Sequence, residues 1–323
     1  MGTHPYPLDF CKTGPQLPAK VATNRRRHLF GWLFYGGGGM IRTELRTVTT
    51  QGGYDIATTF FHPTGEPRAV VMIVPAMGIG QRFYARFAAW LAAEGFLVGT
   101  FDYFGIGLSR RSGIRALKIN ITDWARFDCE AMIHASTQDA AGKPLYWLGH
   151  SLGGQILGFV PSRDRIAKVV TIACGSGYWL ENTPSAKWRV WWMWHVAVPV
   201  FTRLFGYFPG KRLRKVGDLP RGVIEQWRRW CLNPDYAVGA EGPGAKAQFA
   251  AVNTPITALS FVDDEFMSAR NTESLHGFYV RAPQTMKRIS PEDIGEQRIG
   301  HFGFFNVRFQ ECLWREYLLP ELR

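Results

Sequence analysis

Cysteine is scarce in this chain, and its spacing gives no sign of pairing. Five residues, Cys11, Cys129, Cys174, Cys231 and Cys312, are scattered over 323 positions. An odd count at such spacings suits neither a disulfide framework nor a CxxC metal site, and points to a reducing compartment. Acidic residues are in deficit as well: 26 Asp plus Glu against 38 Lys plus Arg leave a formal net charge of +12. That balance favours anionic surfaces or anionic substrates without choosing among them. No recognition motif for nucleic acid accompanies the charge, so a nucleic-acid partner is not expected. No early basic segment is followed by an apolar run and a small-residue cleavage site, so no secretory leader is read, and the expected location is cytoplasmic. A long uninterrupted apolar run is missing too. The nearest approach, residues 188–208, is broken by Arg189, His195, Pro199 and Arg203, and reads as an interfacial element rather than a membrane span. No His and carboxylate spacing resembles a ligand set, so no metal and no cofactor are expected.

What is present is apolar. Hydrophobic residues make up 46% of the chain and charged residues only 20%, which excludes a disordered chain because that much apolar surface has to be buried. Residues 1–39 carry scattered prolines, the run Arg25, Arg26, Arg27 and four glycines from Gly36 to Gly39. Nothing there is periodic, and the expectation is a loosely ordered extension ahead of a main domain spanning 40–323. Residues 44–50 and 54–62 alternate polar and apolar positions around Gln51, Gly52 and Gly53, the pattern of an antiparallel hairpin. Short apolar runs at 69–74, 96–101, 145–148, 168–173, 256–261 and 285–289 read as strands. Helical spacing at 82–94, 124–136, 152–160, 272–279 and 309–319 places helices around them. Strands alternating with helices imply an α/β fold with a mostly parallel central sheet and helices on both faces.

The first residues that carry chemistry are Gly149, His150, Ser151, Leu152 and Gly153. They lie between a predicted strand and a predicted helix, the context in which G-x-S-x-G becomes a nucleophile elbow: a strained turn that lifts the serine above the sheet, with glycines where bulk would clash. The bland alternative is a glycine-rich turn with an idle serine. A serine hydroxyl needs a histidine to take its proton and an acid to orient that histidine, and in the elbow architecture both follow the serine, acid first. Only His195, His276 and His301 follow Ser151. His195 precedes the candidate acids, and His276 falls in a predicted helix where packing suffices to explain it. His301 sits in a loop beyond the last predicted strand, as a base should. The strand at 256–261 runs into Asp263, Asp264 and Glu265. Asp264 is favoured because the turn needs about two residues before a side chain can reach back to the base; Asp263 is the alternative and Glu265 stands third. Two backbone amides are required for an oxyanion hole. Leu152 supplies one, and Met77 is the candidate for the other, in the loop 75–80 of Pro75, Ala76, Met77, Gly78, Ile79 and Gly80.

Together, the elbow, the loop 75–80, the turn from Asp102 to Ser109, the Asp263 and Asp264 pair and the segment around His301 resemble the α/β-hydrolase serine hydrolases over about residues 41–320. The turn departs from the family's D-x-R-G-x-G-x-S pattern at Phe104, where arginine is common, and Asp102 is structural in this reading. Many members carry His-Gly in the loop where Pro75 to Gly78 stand here. The Met77-Gly78 loop, the run Asp263, Asp264 and Glu265, and the segment from Gly300 to Phe305 resemble a bacterial group of predicted hydrolases. The resemblance implies ester, thioester or amide chemistry.

Between about 176 and 245 the alternation stops, where this fold commonly inserts a lid. Seven of the twelve tryptophans lie there, namely Trp179, Trp188, Trp191, Trp192, Trp194, Trp227 and Trp230. They are suited to walling an apolar pocket for an acyl chain, and equally to burying the insertion against the core. Lys211, Arg212, Arg214 and Lys215 form a basic cluster in the same stretch, a means of meeting an anionic membrane surface or simply a solvated face. The expected activity is hydrolysis of carboxylic esters, apolar or acyl-chain small-molecule substrates, through Ser151, His301 and Asp264 and an acyl-enzyme intermediate. An acyltransferase or thioesterase on the same residues, and a non-catalytic membrane-associated module, are the alternatives. Haloalkane dehalogenase and epoxide hydrolase chemistry need a carboxylate where Ser151 stands. Oligomeric state leaves no signature in the sequence.

Overall fold

The computed structural model of the chain describes residues 29–34, 40–213 and 216–323. Its centre is a nine-stranded sheet. The strands are β1 (Leu29–Phe34), β2 (Met40–Thr49), β3 (Asp55–His62), β4 (Ala69–Val74), β5 (Phe96–Phe101), β6 (Leu145–His150), β7 (Ile166–Ile172), β10 (Ile256–Phe261) and β11 (Gln284–Ile289), and a separate two-stranded ribbon pairs β8 (Tyr207–Phe208) with β9 (Leu219–Pro220). The spatial order is β1-β2-β3-β5-β4-β6-β7-β10-β11. The first three strands are antiparallel, and β3 meets β5 antiparallel, whereas β5, β4, β6, β7, β10 and β11 run parallel. This is the mostly parallel sheet that the alternation of runs predicts.

The short apolar runs become central strands because both faces of the sheet are covered. β4, β5 and β10 are buried at every position. Side chains alternate with period two, so Val70, Met72 and Val74 enter one apolar core while Ala69, Val71 and Ile73 enter the other. The second core is closed by the helix Ala85–Ala93 and by Leu313, Trp314 and Leu318 near the C-terminus. The first is closed by the helix Glu130–Asp139, the segment after Ser151 and the residues between β7 and β10.

Two expectations are corrected. Leu29–Phe34, read from sequence as part of a loose extension, pair with β2 as the edge strand of the sheet; the pairing is long-range, and a six-residue strand isolated by Gly36 to Gly39 carries no periodicity of its own. The remainder of that extension, residues 1–28 and 35–39, lies outside the described residues. The helix expected over 152–160 is two short pieces, Leu152–Gln155 and a 3-10 turn Leu157–Phe159. Gly158 causes the close approach there: a Cβ at this position would sit 2.2 Å from the Phe249 ring.

All the loops carrying the candidate residues leave the same edge of the parallel sheet, from the C-terminal ends of β4, β5, β6, β7, β10 and β11. That edge is where open α/β sheets place ligands. The residues between β7 and β10 form the helices Lys187–Trp192, Val198–Phe205, Arg221–Cys231, Tyr236–Glu241 and Pro243–Ala250. They are tied to the core through polar contacts as well as apolar ones: Tyr236 Oη donates to Gln155 at 2.7 Å, and the Ile121 amide donates to Gln226 at 2.6 Å.

Candidate active site

Ser151 stands where β6 turns into the segment Leu152–Gln155, with φ 50° and ψ −113°. A non-glycine residue in this region is strained and persists only where its surroundings hold it. The surroundings are the flanking glycines: a Cβ at Gly149 would lie 2.6 Å from the Gly153 backbone, and one at Gly153 would lie 2.1 Å from the Val74 carbonyl. The Ser151 amide donates to the Ile172 carbonyl at 3.0 Å, and its own carbonyl accepts from Gly154 at 3.0 Å. The turn is therefore pinned on both sides, and the side chain remains half-buried rather than sealed.

His301 lies in a short helical turn, Gly300–Gly303, rather than in the open loop expected. Gly300 begins that turn at φ +66°, a conformation glycine reaches without penalty, and this lets the chain reverse into a helical turn too short for periodicity to reveal. His301 and Asp264 are 4% and 3% exposed. His301 Nδ1 and Asp264 Oδ2 are 2.8 Å apart, while Asp264 Oδ1 accepts the Phe266 and Met267 amides at 2.8 and 2.9 Å. Burial works against the imidazolium, but the charge and hydrogen bond of Asp264, with the charge of Glu265, outweigh it and hold the His301 pKa above that of an ordinary histidine.

The neighbouring acids hold the same segment by its backbone. Asp263 accepts the Ile299 amide at 2.8 Å and the Gly300 amide at 3.0 Å. Glu265 accepts the His301 amide at 3.0 Å and faces Arg298 at 3.6 Å. Three consecutive acids thus grip one segment, which sequence reasoning missed: the run is visible, but not that its members divide between ring and main chain. His276 is buried with Nε2 against Thr171 Oγ1 at 2.9 Å, and burial lowers its pKa to about 4. It is a packing residue. His195 is exposed on the insertion, its Nδ1 against the Trp191 carbonyl.

On the opposite side of Ser151 runs the loop 75–80. The Ala76 amide donates to Tyr84 Oη at 2.9 Å, and the Met77 amide follows it in the loop. Leu152 opens a helical turn, where amides lack an intrahelical acceptor. Asp102 accepts from the Gln81 and Leu108 amides at 2.7 and 2.8 Å and holds the turn beneath. Phe104, the departure from the family pattern, stacks on Tyr54 with centroids 3.9 Å apart.

The insertion divides its tryptophans. Trp194 and Trp230 are buried, Trp179, Trp191 and Trp227 half-buried, and Trp188 and Trp192 exposed. Trp188, Trp192, Val196, Val200 and Leu204 recur at every fourth position and are all exposed, Trp188 and Leu204 at 71%. They line one side of a continuous helical stretch. Lys211 and Arg212 are exposed nearby in sequence, while Arg214 and Lys215 lie outside the described residues. Among the described residues no cluster of His, Cys, Asp and Glu is placed to hold a metal, and no helix is long and apolar enough to cross a membrane.

Among solved structures, a soluble variant of monoglyceride lipase from Saccharomyces cerevisiae aligns over 84% of this chain and 88% of its own, with a TM-score of 0.51 at 16% identity. The chain has the α/β-hydrolase fold. A carboxyl esterase from Bacillus coagulans aligns over 83% of this chain and 94% of its own, with a TM-score of 0.52 at 12% identity; at such identities the likeness is one of fold. Residues 65–209 match the family described as Serine aminopeptidase, S33, which is less than half of the chain. Monoglyceride lipase from Homo sapiens is 28% identical over 115 residues, 35% of this chain and 36% of that protein. The alignment therefore spans about a third of the curated relative.

Proposed function

We propose that this α/β-hydrolase is a serine esterase that cleaves carboxylic esters with an apolar acyl part, using Ser151, His301 and Asp264. The observation that carries the reading is the buried 2.8 Å hydrogen bond between His301 Nδ1 and Asp264 Oδ2, on the same edge of the sheet as a serine held at φ 50°. The bond fixes the tautomer in which His301 Nε2 is free to accept a proton. His301 takes the Ser151 proton as Oγ attacks the ester carbonyl, and the Leu152 and Met77 amides receive the oxyanion. The tetrahedral intermediate collapses as His301 returns the proton to the departing alcohol. Water, deprotonated by His301, then releases the acid from Ser151. No step calls on a metal or cofactor.

Residues 176–245 serve as a lid in this reading, and their aromatic content favours an acyl chain over a small polar group. The exposed stripe from Trp188 to Leu204, with Arg189, Arg203, Lys211 and Arg212, suits peripheral contact of a cytoplasmic enzyme with anionic lipid. Monoglyceride lipases among the relatives are in keeping with an apolar ester, though the relation covers too little of that protein to carry the substrate across.

Stoichiometric labelling by a fluorophosphonate, comparing wild type with Ser151→Ala and His301→Ala, tests the chemistry. Labelling of the wild type that disappears in both variants supports it, and a wild type that stays unlabelled in detergent sinks it. A series of p-nitrophenyl esters then reads the pocket, with medium or long chains preferred over acetate. Turnover accelerated by an added alcohol, with a new ester as product, identifies an acyltransferase instead. For the surface, sedimentation with phosphatidylglycerol vesicles should weaken in Trp188→Ser with Leu204→Ser; equal binding removes the membrane reading.

A further inference from the structure

One buried titratable side chain touches the candidate base without a part in the chemistry above. His150 immediately precedes Ser151, and its ring is wholly buried. Phe83, Phe302 and Phe305 surround it, with ring centroids at 6.3, 5.5 and 4.7 Å. The titratable groups that face it are Tyr84 and His301. Both of its ring nitrogens are engaged: Nε2 lies 3.1 Å from the His301 main-chain carbonyl, and Nδ1 lies 2.9 Å from Tyr84 Oη. A carbonyl can only accept, so Nε2 carries the hydrogen. Tyr84 Oη already accepts the Ala76 amide, and its own hydrogen is left to donate to Nδ1. The sequence of donors is then unbroken: the Ala76 amide to Tyr84 Oη, the Tyr84 hydroxyl to His150 Nδ1, and His150 Nε2 to the His301 carbonyl. This arrangement has His150 neutral, and burial, reinforced by the nearby His301, presses its pKa well below the ordinary histidine value.

We propose that His150 and Tyr84 are positioning residues that tie the main chain of the base His301 to the oxyanion loop at Ala76, so that the group accepting the proton and the amides receiving the negative charge keep a fixed separation. The inference rests on the reading of His301 as the base. Its physical ground is the buried contact of His150 Nε2 with that carbonyl at 3.1 Å. Gly300–Gly303 is a four-residue turn, too short to be rigid alone. Glu265 secures the His301 amide and Asp264 its ring, but without His150 the buried carbonyl loses its partner and the turn must shift to find another. A displacement of about 1 Å at a catalytic group costs on the order of a hundredfold in rate. Placing the tie on the residue next to the nucleophile references base, nucleophile and oxyanion loop to one another.

Tyr84→Phe removes one hydroxyl and keeps the ring, and is the decisive variant. With a p-nitrophenyl ester it should lower kcat by about 10- to 100-fold with KM within about twofold, and slow fluorophosphonate labelling by the same factor. His150→Phe should do likewise. His150→Gln, whose amide nitrogen reaches the place of Nε2, should recover most of the loss. The double variant Tyr84→Phe with His150→Phe should be no slower than the worse single one, because both break the same tie. Unchanged kcat with a lowered melting temperature in Tyr84→Phe, or losses that multiply in the double variant, would overturn the proposal. His301→Ala, run in parallel, separates the two readings: if it labels and turns over like wild type, the assignment of the base has failed rather than the bridge.

Discussion

Asp264 Oδ2 and His301 Nδ1 lie 2.8 Å apart, with both side chains almost wholly out of solvent. The neighbouring Asp263 takes the amides of Ile299 and Gly300 instead. Two adjacent carboxylates on one turn thus act on two different parts of the same segment, one on the ring and one on the backbone. The division is set by the turn itself, since consecutive side chains leaving β10 point in different directions.

Replacing each acid in turn should separate these roles. Asp264→Asn presents an amide that no longer enforces the Nδ1–H tautomer, and kcat should fall by roughly 10³- to 10⁴-fold with KM little changed. Asp263→Asn weakens two backbone contacts, so its melting temperature should drop while kcat falls less than about tenfold. Steady-state kinetics and thermal melts on both variants decide the matter; a larger kcat loss in Asp263→Asn reverses the assignment.

The pH dependence follows from the same pair. As the proposed base, His301 must be neutral to accept the serine proton, and against burial Asp264 holds its pKa above the ordinary histidine value. The rate should therefore rise with pH through an inflection above about 6.5, the unperturbed value. Removing the carboxylate charge in Asp264→Asn should move that inflection to lower pH, even as the plateau falls. A kcat/KM profile from pH 5 to 9 reads both effects, and an inflection that stays put in the variant would detach it from His301.

Much of the fold is legible in the chain because its parallel strands are buried on both faces. The runs at 69–74, 96–101 and 256–261 coincide with β4, β5 and β10 to the residue. The elbow is legible for a related reason: strand, G-x-S-x-G and helix are contiguous, and the contact that excludes a side chain at Gly149 is local, although that at Gly153 is with Val74. What escaped the sequence is long-range. Leu29–Phe34 becomes a strand only by pairing with β2. His150 looks like the variable position of a motif, and nothing in its spacing from Tyr84 or His301 announces that they meet. The exposed stripe from Trp188 to Leu204 was hidden by the richness of its surroundings, since exposure, not composition, sets those five residues apart.

The insertion touches the loop 75–80 backbone to backbone. A Cβ at Gly217 would lie 2.5 Å from the Gly78 carbonyl, and one at Gly78 would lie 2.9 Å from the Gly217 amide. Gly78 is also at φ +69°, so Gly78→Ala combines strain with a clash. Gly217→Ala is the cleaner probe, because it adds a methyl group at the contact alone. It should push the loop carrying Met77 and lower kcat by about tenfold or more, with little loss of melting temperature. An unchanged kcat would show that the loop yields to the insertion without moving the Met77 amide.

Asp128 ties three segments together, accepting the Tyr54 hydroxyl at 2.8 Å and the Phe104 amide at 2.8 Å. Burial pushes its pKa up to about 7, the two hydrogen bonds offsetting only part of the cost of ionisation. The sign is opposite to that of a salt-bridged carboxylate. The folded state holds the Asp128 proton more tightly than the unfolded chain, so this group's contribution to stability is fully present below about pH 4, the unfolded value, and declines as pH rises through about 7. Tyr54→Phe removes a donor that favours the ionised form, which should move the upper limit of that decline to higher pH. Denaturant unfolding of the wild type, Tyr54→Phe and Asp128→Ala across pH 5 to 9 isolates the effect: the difference between wild type and Asp128→Ala should shrink as pH rises through 7, and a difference that grows instead would place the Asp128 pKa below its unfolded value.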